Sequence, residues 1–111
     1  MANTRLLGLS GALRKTSTNT KLIHEAARLF GDADLSFADL NLPLYNGDTE
    51  DTKGIPDAVQ HIADQIGTAN GILISTSEYN DAPSGVLKNA LDWVSRVDGN
   101  PWKDKPVAIM S

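Results

Sequence analysis

Apolar residues recur along this chain with two spacings, and the spacings predict alternating strands and helices. Four short apolar or alternating runs predict β-strands, at residues 4–9, 35–40, 71–76 and 106–110. Spacing near 3.6 residues predicts three helices, at residues 18–30, from residues 55–56 onward and at 84–97. The segment 41–54 is rich in Asn, Asp, Gly and Pro, so we expect it to form a loop.

The predicted order is β-α-β-α-β-α-β, with a crossover of helical length between successive strands. Such crossovers favour parallel strands and right-handed connections. The sequence therefore predicts an α/β fold with a flavodoxin-like, doubly wound parallel sheet that stops after its fourth strand. Because no helix follows that strand, we expect residues 1–111 to be the N-terminal portion of a flavodoxin-like domain without its last helix-strand-helix, or a unit completed by association.

The loop between the first strand and the first helix is crowded with hydrogen-bond donors. Residues 10–20 contain five hydroxyl side chains, an amide and a guanidinium: Ser10, Thr16, Ser17, Thr18, Thr20, Asn19 and Arg14. Amide groups at the start of the following helix also favour an anion. An ordinary capped helix is the alternative, but one cap requires only one hydroxyl. Since the glycine-rich motifs for triphosphates and dinucleotides are absent, the loop suits a single terminal phosphate.

A second unusual loop follows the third strand. Glu78, Tyr79 and Asn80 supply an aromatic ring and polar groups suited to the edge of a planar heterocycle. In a flavodoxin-like sheet, strands one and three are neighbours, and ligands lie at their carboxyl ends. We therefore expect the two loops to lie side by side and to bind a flavin mononucleotide (FMN).

At these two loops the sequence resembles the NADPH-dependent FMN reductase family. Residues 11–19 are similar to that family's Gly-Ser-x-Arg-x-x-Ser-x-Asn phosphate loop, and residues 78–80 with the helix after them are similar to its Pro-Glu-Tyr-Asn loop. The resemblance implies that Arg14, Ser17 and Asn19 bind the FMN phosphate. Ala12 stands where the family often has Ser, and Ser10 and Thr18 are further candidate donors beside it.

The resemblance also implies that Glu78, Tyr79 and Asn80 line the isoalloxazine and ribityl chain. The implied activity is NAD(P)H-dependent reduction of quinones, free flavin or metal oxyanions through bound FMN, with NADPH or NADH as donor. No side chain is needed as a proton donor in hydride transfer, so we assign no catalytic residue. Two alternatives remain open, namely a flavodoxin-type electron carrier and an inactive fragment of the reductase.

The composition limits the classes of molecule that the protein is expected to bind. A net charge of −4 disfavours nucleic acid and anionic membranes, which require clustered Lys and Arg. No signal peptide is recognisable and Cys is absent, so we expect a cytoplasmic protein without Cys-ligated metal. His24 and His61 are expected at the surface.

The family resemblance suggests a homodimer or homotetramer with a small-molecule electron acceptor. The last predicted helix carries apolar residues beyond its core stripe, at Trp93, Val94 and Val97. They form either a dimer face or a surface buried against a missing C-terminal part.

Overall fold

Four parallel strands and four helices form the part of the chain that the structure describes. The structure is a computed structural model, and it describes residues 4–11, 18–31, 33–75 and 85–110. The strands are β1 (Thr4–Ser10), β2 (Ala33–Phe37), β3 (Gly71–Ser75) and β4 (Val107–Met110). The helices are α1 (Thr18–Phe30), α2 (Gly47–Lys53), α3 (Asp57–Thr68) and α4 (Gly85–Val94).

The strands form one sheet in the order β2-β1-β3-β4, and every pairing is parallel. β1 lies in the centre, with Thr4 opposite Ala33 on one side and Leu6 opposite Gly71 on the other. This order confirms the flavodoxin-like α/β prediction, including the neighbouring positions of the first and third strands. All four strands end at the same edge, which is the carboxyl edge of the sheet.

Helices cover both faces of the sheet. On one face, Gly8 of β1 faces Ile23 of α1 and the ring of Phe37. On the other face, α3 and α4 bury the main apolar core against the alternate residues of the strands. That core consists of the sheet residues Leu7, Leu9, Ile72 and Ile74, the helical residues Val59, Ile62, Ile66, Leu87, Ala90, Trp93 and Val94, and Leu40 and Ala69. The burial of one apolar stripe per helix is the reason that the 3.6-residue spacing predicted α1, α3 and α4 correctly.

The second strand begins and ends earlier than its sequence pattern predicts. β2 pairs with β1 from Ala33 to Phe37, and the amide of Ala38 still donates to the carbonyl of Gly8 at 3.0 Å. Leu40, which the pattern placed in this strand, lies after it and is buried in the main core. The alternation continued past the strand because the chain after it also buries apolar residues.

The predicted loop at residues 41–54 contains a short helix, so that prediction is wrong for α2. Asn46 Oδ1 accepts the amide of Asp48 at 2.8 Å, and the Thr52 hydroxyl donates to the Asp48 carbonyl at 2.9 Å. Asp48 and Glu50 lie in the first turn and Lys53 in the last, as the helix dipole favours. Periodicity missed this helix because its sequence, GDTEDTK, contains no apolar stripe.

Helix and strand ends differ from the predicted ones by a few residues. α3 begins at Asp57, with Pro56 at the N-cap. α4 ends at Val94, after which the amides of Arg96 and Val97 donate three residues back, to the carbonyls of Trp93 and Val94. A tight final turn of this kind satisfies carbonyls at a helix end. β4 begins after Pro106, whose carbonyl accepts the amide of Ile72 at 2.9 Å. Thr76 and Ser84 lie outside the described residues.

Candidate functional site

The carboxyl ends of β1 and β3 meet at the predicted ligand position. Ser10, the last residue of β1, lies opposite Ser75, the last residue of β3. The amide of Gly11 then donates to the Ser75 carbonyl at 2.7 Å. Both serine side chains are buried. The place where β1 and β3 end is therefore closely packed and polar.

The first helix is joined to this edge through a pair of hydroxyls. Thr20, in the first turn of α1, is buried, and its Oγ1 donates to Ser10 Oγ at 3.4 Å. The first turn contains no acidic residue, whereas Arg28 lies in the last turn. The helix dipole therefore directs uncompensated positive potential towards the carboxyl edge. A helix start beside buried hydroxyls at this edge is suited to an anionic group such as a phosphate.

The structure describes only some of the predicted site residues. Ser10 lies at the edge as expected, and Thr18 and Asn19 open α1, although their side chains lie outside the description. The remaining predicted residues lie in segments 12–17 and 76–84, which are outside the described residues: Arg14, Ser17, Glu78, Tyr79 and Asn80. Their contacts with FMN therefore stay predictions.

A polar clamp, which sequence reasoning missed, joins the loop after β2 to α4. We define the clamp as Asn89 and Trp93 of α4 with the backbone of Pro43 and Tyr45. The Asn89 side chain uses both ends of its amide: Oδ1 accepts the Tyr45 amide at 2.7 Å, and Nδ2 donates to the Pro43 carbonyl at 3.0 Å. Trp93 Nε1 donates to the same carbonyl at 2.8 Å.

An ion pair extends the contact beyond the clamp. Arg96 Nε lies 3.0 Å from both carboxylate oxygens of Glu50 in α2, and the Tyr45 hydroxyl donates to Glu50 Oε1 at 3.1 Å. The hydrogen bond from Arg96 lowers the pKa of Glu50, which remains a carboxylate at neutral pH. Burial, followed by the hydrogen bond to Glu50, raises the pKa of Tyr45. The Tyr45 ring also meets the Trp93 ring edge-on, with centroids 4.9 Å apart.

These contacts exclude both interpretations that the sequence left open for Trp93 on the last helix. Trp93 and Val94 are fully buried within the described chain, and Val97 packs against the same core. Trp93 is covered by the loop after β2, so it is neither a dimer face nor a surface that requires further chain. The signal for the clamp was the spacing of Asn89 and Trp93, four residues apart, which places both side chains on one stripe of the helix.

A cleft of about 230 Å³ lies at the opposite, amino edge of the sheet, between α3 and the first residues of β1 and β2. Its polar lining includes Arg5, Asp34 and Gln65. The cleft is separate from the carboxyl edge, where the predicted ligand loops leave the sheet.

The histidines lie at the surface, as expected. His24 and His61 are exposed, and the His24 ring lies 5.0 Å from that of Phe37. Within the described ranges, no three His, Asp or Glu side chains gather in a way that would hold a metal ion. Nor is any helix of those ranges long and apolar enough to cross a membrane.

The family model for NADPH-dependent FMN reductases matches residues 4–111. The chain belongs to the NADPH-dependent FMN reductase family. An NAD(P)H-dependent FMN reductase of Pseudomonas aeruginosa is 42% identical in an alignment of 108 positions that covers 96% of this chain and 58% of that protein. The quinone reductase of Escherichia coli K12 is 38% identical in an alignment of 112 positions that covers 96% of this chain and 58% of that enzyme.

A solved structure with 35% sequence identity has the same fold over the matched part. FerB of Paracoccus denitrificans, a flavoenzyme NAD(P)H:(acceptor) oxidoreductase, superposes with a TM-score of 0.80 at 35% sequence identity. The match covers 96% of this chain and 59% of FerB. The chain thus spans less than two thirds of the length of these relatives.

Proposed function

We propose that this protein is an NAD(P)H-dependent flavin oxidoreductase that uses FMN, with NADPH or NADH as electron donor. The family match over residues 4–111 is the observation that carries the proposal. The carboxyl edge supports it, because the start of α1 and the hydroxyls of Ser10, Thr20 and Ser75 lie together where β1 and β3 end. Open parallel sheets bind their ligands at this edge.

The phosphate end of FMN is the part of the ligand that these described residues suit. In our proposal, Arg14, Ser17 and Asn19 hold the phosphate, and Ser10 and Thr18 add hydroxyls. The hydrogen bond from Thr20 gives the Ser10 hydroxyl a defined orientation at the start of α1. A carboxylate in the first turn of α1 would repel a phosphate, and that turn has none.

The ring end of FMN is assigned to the loop after β3. Glu78, Tyr79 and Asn80 would orient the isoalloxazine and ribityl chain beside that strand. When bound, FMN supplies the hydride and electron chemistry that protein side chains cannot. The contribution of this chain is to bind and orient the cofactor, which is why no residue is assigned as catalytic.

The proposed acceptors are small molecules, namely quinones, free flavin or metal oxyanions. We also propose that the chain forms a homodimer or homotetramer. Val107 and Ile109, on the outer strand β4, are 43% and 72% exposed, and exposed apolar side chains on an outer strand favour association.

Flavin titration followed by turnover tests the proposal. The purified chain is titrated with FMN by flavin absorbance and fluorescence, and NADPH oxidation is then followed with a quinone. We expect weak FMN binding and flavin-dependent turnover. Arg14→Gln should reduce FMN affinity, whereas the matched control Arg5→Gln, at the amino edge of the sheet, should not.

The other possible outcomes of these measurements distinguish the alternative functions. Bound flavin without NADPH oxidation would indicate a flavodoxin-type electron carrier. Absence of both binding and turnover would indicate an inactive fragment of a reductase and would overturn the proposal. If Arg14→Gln and Arg5→Gln lost FMN affinity equally, the proposal that Arg14 binds the phosphate would be wrong, but the proposal that the protein binds FMN would stand.

A further inference from the structure

The cleft at the amino edge of the sheet lies where the end of α3 meets the first residues of β1 and β2. Its volume is about 230 Å³, and its lining combines the aliphatic side chains of Leu7 and Ala69 with several polar ones. Small-molecule sites commonly have this composition, in which an apolar surface provides contact area and a few polar groups fix the orientation of the ligand. The proposed flavin site is at the opposite edge, so a ligand in this cleft would occupy a separate site.

Hydrogen bonds within the protein hold the walls of the cleft. The Arg5 amide donates to Asn70 Oδ1 at 2.7 Å, and the Asn70 amide donates to the Arg5 carbonyl at 2.8 Å, which joins β1 to the turn after α3. Lys105 Nζ donates to the carbonyls of Gly67 and Ala69 at 2.9 and 2.7 Å, which fixes the end of α3. A ligand would therefore enter a cleft of defined shape, and its binding would require little ordering of the backbone.

Gln65 of α3, in the lining of the cleft, carries an unsatisfied hydrogen-bond acceptor. Its Oε1 is buried, and no donor in the described part of the chain reaches it. A buried acceptor without a partner costs free energy, so a donor that reached this oxygen would stabilise the protein. The last side-chain bond of glutamine rotates through a broad range, which allows the oxygen to face a donor in the cleft. The cleft therefore favours a ligand with an N–H or O–H group.

Two opposite charges also line the cleft. Arg5 and Asp34 lie opposite each other on the neighbouring strands β1 and β2, and the structure, which describes both residues, shows no ion pair between them. A guanidinium suits a carboxylate, with which it forms two parallel hydrogen bonds. The Asp34 carboxylate and the Gln65 oxygen suit an ammonium group, which has three donors and no acceptor.

We propose that this cleft binds a small zwitterion of the α-amino acid class. Arg5 binds the carboxylate of the ligand, and Gln65 Oε1 and Asp34 accept its ammonium group. An anion alone would leave the Gln65 oxygen without a donor and would lie close to Asp34. A cation alone would lie close to Arg5, so a ligand with both charges satisfies the lining best. The site goes beyond the proposed function, because none of these contacts involves FMN.

Three probes that share a branched aliphatic end and differ in charge test the proposal. Valine carries both charged groups, isovalerate carries only the carboxylate, and isobutylamine carries only the ammonium. Each is titrated without FMN into the nitrogen-15-labelled full chain, and the amide chemical shifts of Arg5, Asp34 and Gln65 are followed. We expect saturable shifts with valine, with a dissociation constant on the order of millimolar, and binding at least about tenfold weaker for the two probes with one charge.

Two variants separate the two ends of the ligand. Gln65→Met keeps an unbranched side chain but removes the acceptor, so it should weaken valine and isobutylamine binding about five- to tenfold and leave isovalerate binding unchanged. Arg5→Gln should weaken valine and isovalerate binding by a similar factor and should not weaken isobutylamine binding. The matched controls are Gln60→Met, at an exposed position of α3, and Arg28→Gln, at an exposed position of α1. Both should bind valine as the wild-type chain does.

Thermal melting separates loss of binding from loss of folding. Because Gln65→Met removes an unsatisfied buried acceptor, its melting temperature should equal or exceed that of the wild-type chain while its affinity for valine falls. The absence of saturable valine binding, or equal shifts from all three probes, would overturn the proposal. Wild-type affinity for valine in both Gln65→Met and Arg5→Gln would overturn it as well. Since no measurement involves flavin, failure of the proposed function would not change these outcomes.

Discussion

Gly8 of β1 faces Ile23 of α1 so closely that a methyl group added at Gly8 would lie 2.8 Å from Ile23 Cγ2. Two atoms of the Phe37 ring would lie 3.1 Å from the same methyl group. The absence of a side chain at Gly8 therefore allows α1 to approach the central strand.

Gly8→Ala should lower the free energy of unfolding by about 1–3 kcal/mol, because overpacking forces the helix or the ring to move. The matched control is Gly67→Ala in α3, where an added methyl group meets nothing within 4 Å. That change should raise stability by about 0.5–1 kcal/mol, since alanine suits a helix better than glycine. Urea denaturation measures both. A destabilisation of equal size in the two variants would contradict the packing argument.

Thr20→Val tests the hydroxyl pair at the proposed phosphate site. The substitution keeps the shape of the side chain but removes the hydrogen bond to Ser10. We expect a loss of about 0.5–1.5 kcal/mol in unfolding free energy and FMN binding weakened about two- to tenfold. The control is Thr68→Val. The Thr68 hydroxyl donates to the Gln65 carbonyl in α3, near the amino edge of the sheet. It should leave FMN affinity unchanged, and equal effects in both variants would remove the role given to Thr20.

Acid should weaken the contact between α2 and Arg96. The Arg96 hydrogen bond makes the pKa of Glu50 lower in the folded chain than in the unfolded one. The resulting stabilisation is present above the ordinary glutamate pKa and is lost as pH falls through the lowered folded value. Glu50→Gln should therefore reduce the urea midpoint at about pH 7 and make the midpoint fall less between about pH 5 and pH 3.

Glu25→Gln is the control for this pH dependence. Glu25 also has a lowered pKa because of a hydrogen bond from Arg28, but both side chains of that pair are more than half exposed. Exposed pairs contribute little to stability, so we expect a smaller change in the pH profile than for Glu50→Gln. A Glu50→Gln profile with the wild-type slope would show that this carboxylate does not stabilise the fold.

The outer strand β4 should make the chain associate. Ile109→Lys places a charge on its exposed apolar side and should shift sedimentation or light-scattering profiles towards monomer. Leu29→Lys, at an equally exposed leucine near the end of α1, is the control and should leave the profile unchanged. A wild-type chain that stays monomeric at all concentrations would contradict the proposed oligomer.

The sequence by itself determined the order of the strands and of the three main helices. The signal is strongest in the main helices and in the central strands β1 and β3, which bury apolar residues with the period of their own element. It also indicated the family, because that signal is carried by local runs of particular residues, and the same runs predict the two ligand loops. Periodicity could not reveal α2, which contains no apolar stripe and is stabilised by Glu50 pairing with a residue 46 positions away.

Only the tertiary structure decided what surrounds Trp93 and Asn89. Their partners are backbone groups of Pro43 and Tyr45, which lie 44 to 50 residues earlier in the chain. The spacing between two residues along the sequence can indicate that they share one face of a helix. It cannot indicate which distant loop covers that face, because this depends on how the sheet brings separate segments together.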